Sequence, residues 1–225
     1  FTISPTRRGT MRTGAGMEQA VRFFEQAIAE DPDFALAYTG LADAYAQHVD
    51  YRAMPVAEGL GRAREEAKRA IALDDTLAEA HTSLAWVRFI YDWDWEGAER
   101  EFRRALELDP GYASAHQWYS WYLAAMGKTR EAIAEGQRAV ELDPTSVSIR
   151  RSCGWLYYYD RTPNAGVPYV QQALVMNPEA ADTYLNLAVL LTLARRVDEA
   201  SGAIQSSLDL NPDDAQGLQT LAQID

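Results

Sequence analysis

The sequence predicts an all-α fold in which antiparallel helix pairs stack into a solenoid. Three observations predict it. Asp109-Pro110, Asp143-Pro144, Asn177-Pro178 and Asn211-Pro212 recur every 34 residues. Small residues stand at fixed distances before these prolines, and a stripe of larger side chains with helical period follows them. One helix pair cannot bury its apolar face alone, whereas stacked pairs share a continuous core.

The elements follow in order. Asp31-Pro32 belongs to the same set, and Asp74-Asp75 takes the equivalent place in a further copy. The interval from Pro32 to Asp75 is nine residues longer than the standard one, and that from Asp75 to Pro110 is one residue longer. Before these turns lie Ala20, Phe24 and Ala27, then Ala63, Ala67 and Ala70, then Ala98, Phe102 and Ala105, then Ala132, Gly136 and Ala139. Small residues at such spacings let two helices approach closely. After the turns come Tyr38, Leu41, Ala42 and Tyr45, then His116, Tyr119, Ser120 and Leu123, then Tyr184, Leu187, Ala188 and Leu191. Helices end before an X-Pro pair. The predicted helices are therefore 17–30, 34–48, 58–73, 77–91, 94–108, 112–126, 129–142, 146–159, 166–176, 180–194, 197–210 and 214–224. The helix after Asp160 is expected to start late, at Gly166, because Pro163, Gly166 and Pro168 crowd its beginning. Residues 1–16 read as a linker or the end of a truncated repeat, and 17–225 as the solenoid, about six units with partial repeats at both ends. Residues 48–59 form the long insertion, for which a binding role is the less favoured reading.

These residues resemble the tetratricopeptide repeat (TPR) family, with the clearest copy at ASAHQWYSWYLAAMGKTREAIAEGQRAVELDP, Ala113 to Pro144. The 34-residue period is a signature of that family. The resemblance implies a right-handed superhelix with one face of each first helix lining a concave groove. By register, that face carries Trp86 and Phe89, then Gln117, Trp118 and Trp121, then Arg151, Trp155, Tyr158 and Tyr159, then Asn186. Trp86, Trp121 and Trp155 are equivalent and are expected to form a ladder along one wall. Tryptophan and tyrosine dominate binding hot spots. The alternative for this stripe is core packing. Some members clamp a C-terminal carboxylate with Lys, Asn and Arg. Thr82, Trp86, Gln117, Trp121 and Arg151 hold those places here, so the clamp is not expected. Arg151 alone is left to pair with an acidic group of a ligand.

The expected function is a protein-interaction scaffold that takes a peptide or partner helix in this aromatic groove. A second reading comes from resemblance to the repeat regions of bacterial multidomain signalling proteins. On it, the chain is a sensory or scaffolding region beside a winged-helix regulator, cyclase or kinase. The chain does not begin with Met and is read as a segment of a longer one. A third reading is a homo-oligomer joined through end helices 17–30 and 214–224.

Composition bounds the partners. The formal net charge of −12 argues against a nucleic-acid surface and against docking on anionic membranes. No apolar run approaches the ~20 residues that span a bilayer. Cys153 is the only cysteine, which excludes an internal disulfide and fits a cytoplasmic location. No catalytic residue, metal site or cofactor is expected. There is no phosphate-binding Gly-rich loop and no nucleophile elbow. The Asp and Glu residues are read as mostly solvated. Asp92 to Gly97 looks like the start of a calcium loop, but Arg103 stands where the closing Glu belongs. Asp94 is read instead as a helix cap, with Trp93 and Trp95 packed over the junction. His81 and His116 share a register and are read as packing residues. Cys153 reads as a small buried hydrophobe. Arg88 and Arg150 take apolar positions and are expected to lay their stems along the core.

Overall fold

The computed structural model describes residues 14–50, 54–212 and 219. Among these residues it is all-helical. The helices are α1 (Gly14–Glu30), α2 (Ala35–Asp50), α3 (Val56–Leu73), α4 (Ala78–Val87), α5 (Trp95–Leu108) and α6 (Ala113–Ala125). They continue with α7 (Thr129–Leu142), α8 (Val147–Tyr159), α9 (Pro163–Met176), α10 (Ala181–Leu193) and α11 (Val197–Leu210). The chain forms two compact units, Phe1–Ala115 and His116–Asp225.

In the first unit, consecutive helices pack from α1 to α5, and α2 also touches α4. In the second, α7 to α11 pack in the same succession, and α8 touches α10. The small residues do what their spacing predicts. Ala63, Ala67, Ala70, Ala98 and Ala105 are fully buried, as are Ala139, Ala173 and Ala200. In the second unit Val167, Val170, Leu187, Leu190, Leu191 and Ile204 join one core cluster.

The Asp/Asn-Pro signature has a local cause. The Oδ1 of Asp31, Asp74, Asp109, Asp143 and Asn177 each accepts the backbone N–H two residues on. The side chain thus closes the turn that ends each second helix, a role short polar side chains fill best.

Both insertions are absorbed by helices. α4 runs on as a π-turn over Arg88–Asp92, which is how a helix accommodates one extra residue. The nine-residue excess mostly lengthens its flanking helices, since α2 reaches Asp50 and α3 begins at Val56. The structure corrects two helix starts. α1 begins at Gly14 rather than 17. α9 begins at Pro163, not at Gly166. Proline is preorganised for a first helical position, and Gly166 is needed inside the helix because it lies against the backbone of Gly154. The helix expected over 214–224 lies outside the described residues apart from Gln219.

Candidate functional site

The second unit gathers four of the predicted groove residues around one pocket. Trp121 from α6, Arg151 and Trp155 from α8, and Asn186 from α10 line a hollow of about 200 Å³, together with Ser152. All but Ser152 are half-buried. An aromatic chain links the two pocket indoles. Trp121 meets Tyr159 edge-on at 6.1 Å. Tyr159 meets Tyr158 edge-on at 5.3 Å, and Tyr158 stacks on Trp155 at 4.9 Å. Tyr158 and Tyr159 are exposed. These rings are thus partly packed against one another and partly open to solvent.

Polar bridges fix the helices that carry them. Gln117 Nε2 donates to Ser152 Oγ at 2.9 Å and Ser148 Oγ at 3.4 Å, tying α6 to α8. Arg151 Nη1 donates to Asp182 Oδ2, tying α8 to α10. Arg151 is therefore engaged by a carboxylate of its own chain. Ser152 is a pocket residue that the sequence does not single out. It shares the register of Trp118 and Asn186, eight residues after the turn proline, and that equivalence is the signal that could have found it. Trp118 is half-buried and does not line the pocket.

Trp86 and Phe89 belong to the first unit, where they pack edge-on at 5.7 Å. On the same register as Trp86, Trp121 and Trp155, that unit also carries Asp43. Ser83 Oγ donates to Asp43 Oδ1 at 2.5 Å. Burial raises the Asp43 carboxyl from 3.8 to about 6; the Ser83 bond opposes the rise and the charge of Glu79 adds to it.

The remaining polar candidates are mostly engaged within the chain. Asp94 caps α5 by accepting from Gly97 N at 2.9 Å. Trp93 and Trp95 pair at 6.2 Å but stay exposed. Arg88 sends its guanidinium to Asp94 and Glu101, at 3.5 and 3.4 Å. Arg150 reaches Gln172 Oε1 at 2.5 Å and the Pro144 carbonyl at 2.6 Å. The buried His81 and His116 each face a carboxylate, Glu101 at 2.6 Å and Glu135 at 2.5 Å. Burial alone would raise the Glu101 carboxyl, but the His81 hydrogen bond and the Arg88 charge hold it below the usual range. Cys153 is buried, and burial pushes its thiol up to about 12, which disfavours the nucleophilic thiolate. Among the described residues no group of three or more His, Cys, Asp or Glu is placed to hold a metal ion. No helix among them is long and apolar enough to cross a membrane.

Tetratricopeptide repeat family models match residues 92–147 and 160–224, together more than half of the chain. The chain belongs to the tetratricopeptide repeat family. Solved structures agree in fold. The TPR protein YrrB is 20% identical with a TM-score of 0.59, over 87% of this chain and 96% of that one. Pseudomonas aeruginosa PilF is 21% identical with a TM-score of 0.67, over 84% and 88%. The type IV pilus biogenesis factor PilW is 18% identical with a TM-score of 0.71, over 96% and 95%. No curated protein matches the chain in sequence. TPR proteins bind protein or peptide partners and are generally non-catalytic scaffolds, and the repeats of this chain support a protein-interaction scaffold.

Proposed function

We propose that the chain takes a peptide or partner helix on the aromatic face of its second unit, centred on Trp121 and Trp155. The observation that carries this reading is the pocket itself. Two half-buried indoles flank a guanidinium, a hydroxyl and a carboxamide in a hollow of about 200 Å³. Sites of this kind combine apolar walls with a few placed polar groups, and aromatic anchors supply most of the energy at interfaces. Gln117 and Arg151, each bonded across to the first helix of the next pair, hold the walls in place before a ligand arrives, which lowers the cost of ordering them. YrrB, similar in fold, has an unusual peptide-binding site. No residue of the site is assigned covalent chemistry, and the buried thiol of Cys153 suits a reducing cytoplasm.

The test is a random-peptide display selection on the parent and on a Trp121→Ala, Trp155→Ala double variant, with circular dichroism showing both folded. Peptides enriched on the parent and lost on the variant support the reading. Enrichment that survives the double substitution, or none on the parent, overturns it.

A further inference from the structure

We infer that Asp182 sets the charge selectivity of the Trp121–Trp155 pocket, so that it accepts an uncharged apolar or aromatic side chain and turns away a carboxylate. The inference rests on the peptide-binding reading above and names the ligand chemistry of that site.

Arg151 is the one cation among the residues that line the pocket. Facing two indoles, a guanidinium in this place would make an anion subsite. Asp182 forestalls that. It lies on the adjacent first helix, its side chain is 60% exposed against 24% for Arg151, and its Oδ2 accepts from Arg151 Nη1. An incoming carboxylate must displace Asp182 or lie against it, and like charges brought together at an interface cost affinity.

The neighbouring step of the same face supports this assignment. Gln117 stands at the register of Arg151, and Ser148 at that of Asp182. Gln117 Nε2 reaches Ser148 Oγ at 3.4 Å, so a neutral pair spans α6 and α8 where a charged pair spans α8 and α10. Both positions of one step are charged, and with opposite sign. The pocket thus gains a planar guanidinium surface without gaining net charge. The complementary ligand group is neutral: a ring or aliphatic side chain that stacks on the indoles and on the guanidinium plane. A cationic side chain meets Arg151 and an anionic one meets Asp182. The net charge of −12 adds a long-range bias against anionic ligands.

Random-peptide display on the parent, on Asp182→Asn, on Asp182→Asn with Arg151→Gln, and on the Trp121→Ala, Trp155→Ala variant tests this, with circular dichroism on each. The parent is expected to enrich peptides rich in aromatic, aliphatic or proline residues and depleted in Asp and Glu. Asp182→Asn is expected to enrich acidic peptides tenfold or more over the parent, and adding Arg151→Gln to abolish the gain. Parent peptides already rich in Asp and Glu, or an acidic content unchanged by Asp182→Asn, overturn the inference while leaving the binding site standing. Parent enrichment that is absent, or that survives loss of both tryptophans, removes the site and this selectivity with it.

Discussion

Gly154 of α8 and Gly166 of α9 meet backbone to backbone: a Cβ on Gly166 would stand 2.4 Å from the Gly154 carbonyl oxygen. A backbone oxygen cannot swing aside as a side chain can. Alanine in place of a helical glycine usually gains up to ~1 kcal/mol. At Gly166 the clash should reverse the sign, giving a loss of roughly 1–3 kcal/mol, as overpacking does. Among the described residues, Gly202 on α11 has no atom beyond its own helix backbone and chain neighbours within 4 Å of its would-be Cβ, so Gly202→Ala should gain about 0.5–1 kcal/mol. Urea denaturation of the two variants measures both, and a Gly166→Ala chain as stable as the parent would refute the close approach.

A second column of positions carries backbone strain. Trp93, Gly127, Arg161 and Arg195, each 34 residues from the next, have φ of 56°, 75°, 58° and 59°. They end the first helices. Lys128 N, Thr162 N and Arg196 N bond back to Leu123, Tyr157 and Leu191 carbonyls, five residues earlier, the closing bond of a left-handed helix end. Only Gly127 takes this conformation without a Cβ penalty. Arg195→Gly is therefore expected to stabilise the second unit by up to ~1 kcal/mol, and Gly127→Ala to destabilise it by about the same amount. Thermal melts of the two variants, moving in opposite directions, check the pair.

That column also shows how far the sequence can be read. The 34-residue period, the buried alanines and four of the five pocket residues are legible because repeats multiply a weak signal. The extra residue before Pro110 is countable but not placeable. It emerges as the π-turn, where Asp94 N reaches back six residues to the Arg88 carbonyl rather than five. The start of α9 is misplaced by sequence because Pro163 and Gly166 read as breakers until Gly154 is known to lie opposite. Asp182 reads as one more solvated carboxylate, since its bond to Arg151 joins residues 31 apart on different helices.

Asp43 gives the fold a pH dependence of definite sign. Its carboxyl is raised from 3.8 to about 6 in the folded chain, by burial first. The folded state therefore holds a proton that the unfolded state releases between about pH 4 and pH 6. This group's contribution to stability is full below about pH 4 and is lost as pH rises through about 6. A rise of that size sets a ceiling of about 3 kcal/mol, reduced by whatever solvent reaches this half-buried residue. Asp43→Asn removes the titration. The melting temperature of the parent minus that of Asp43→Asn should increase as the buffer goes from pH 7 to pH 4.5. A difference independent of pH would show that Asp43 does not titrate in this window.

Tyr38, His81 and Arg150 occupy one register, six residues after Pro32, Asp75 and Pro144, and each reaches the carbonyl of that turn residue. The distances are 3.0 Å from Tyr38 Oη, 3.1 Å from His81 Nε2 and 2.6 Å from Arg150 Nη2. Three unlike side chains thus satisfy the same backbone oxygen, left outside the helix ladder by the turn. Tyr38→Phe deletes only that bond and should cost about 1 kcal/mol. His81→Phe deletes it and also strips Glu101, a part-buried carboxylate, of its hydrogen bond. It should therefore cost at least about 1 kcal/mol more than Tyr38→Phe, because a carboxylate left short of partners is penalised beyond the bond itself. Neutralising that carboxylate should recover the excess: the cost of His81→Phe, measured by denaturant titration in a Glu101→Gln background, should fall toward that of Tyr38→Phe. If it does not fall, the pairing with Glu101 contributes nothing to the stability of the first unit, and His81 acts through its packing and its bond to the Asp75 carbonyl.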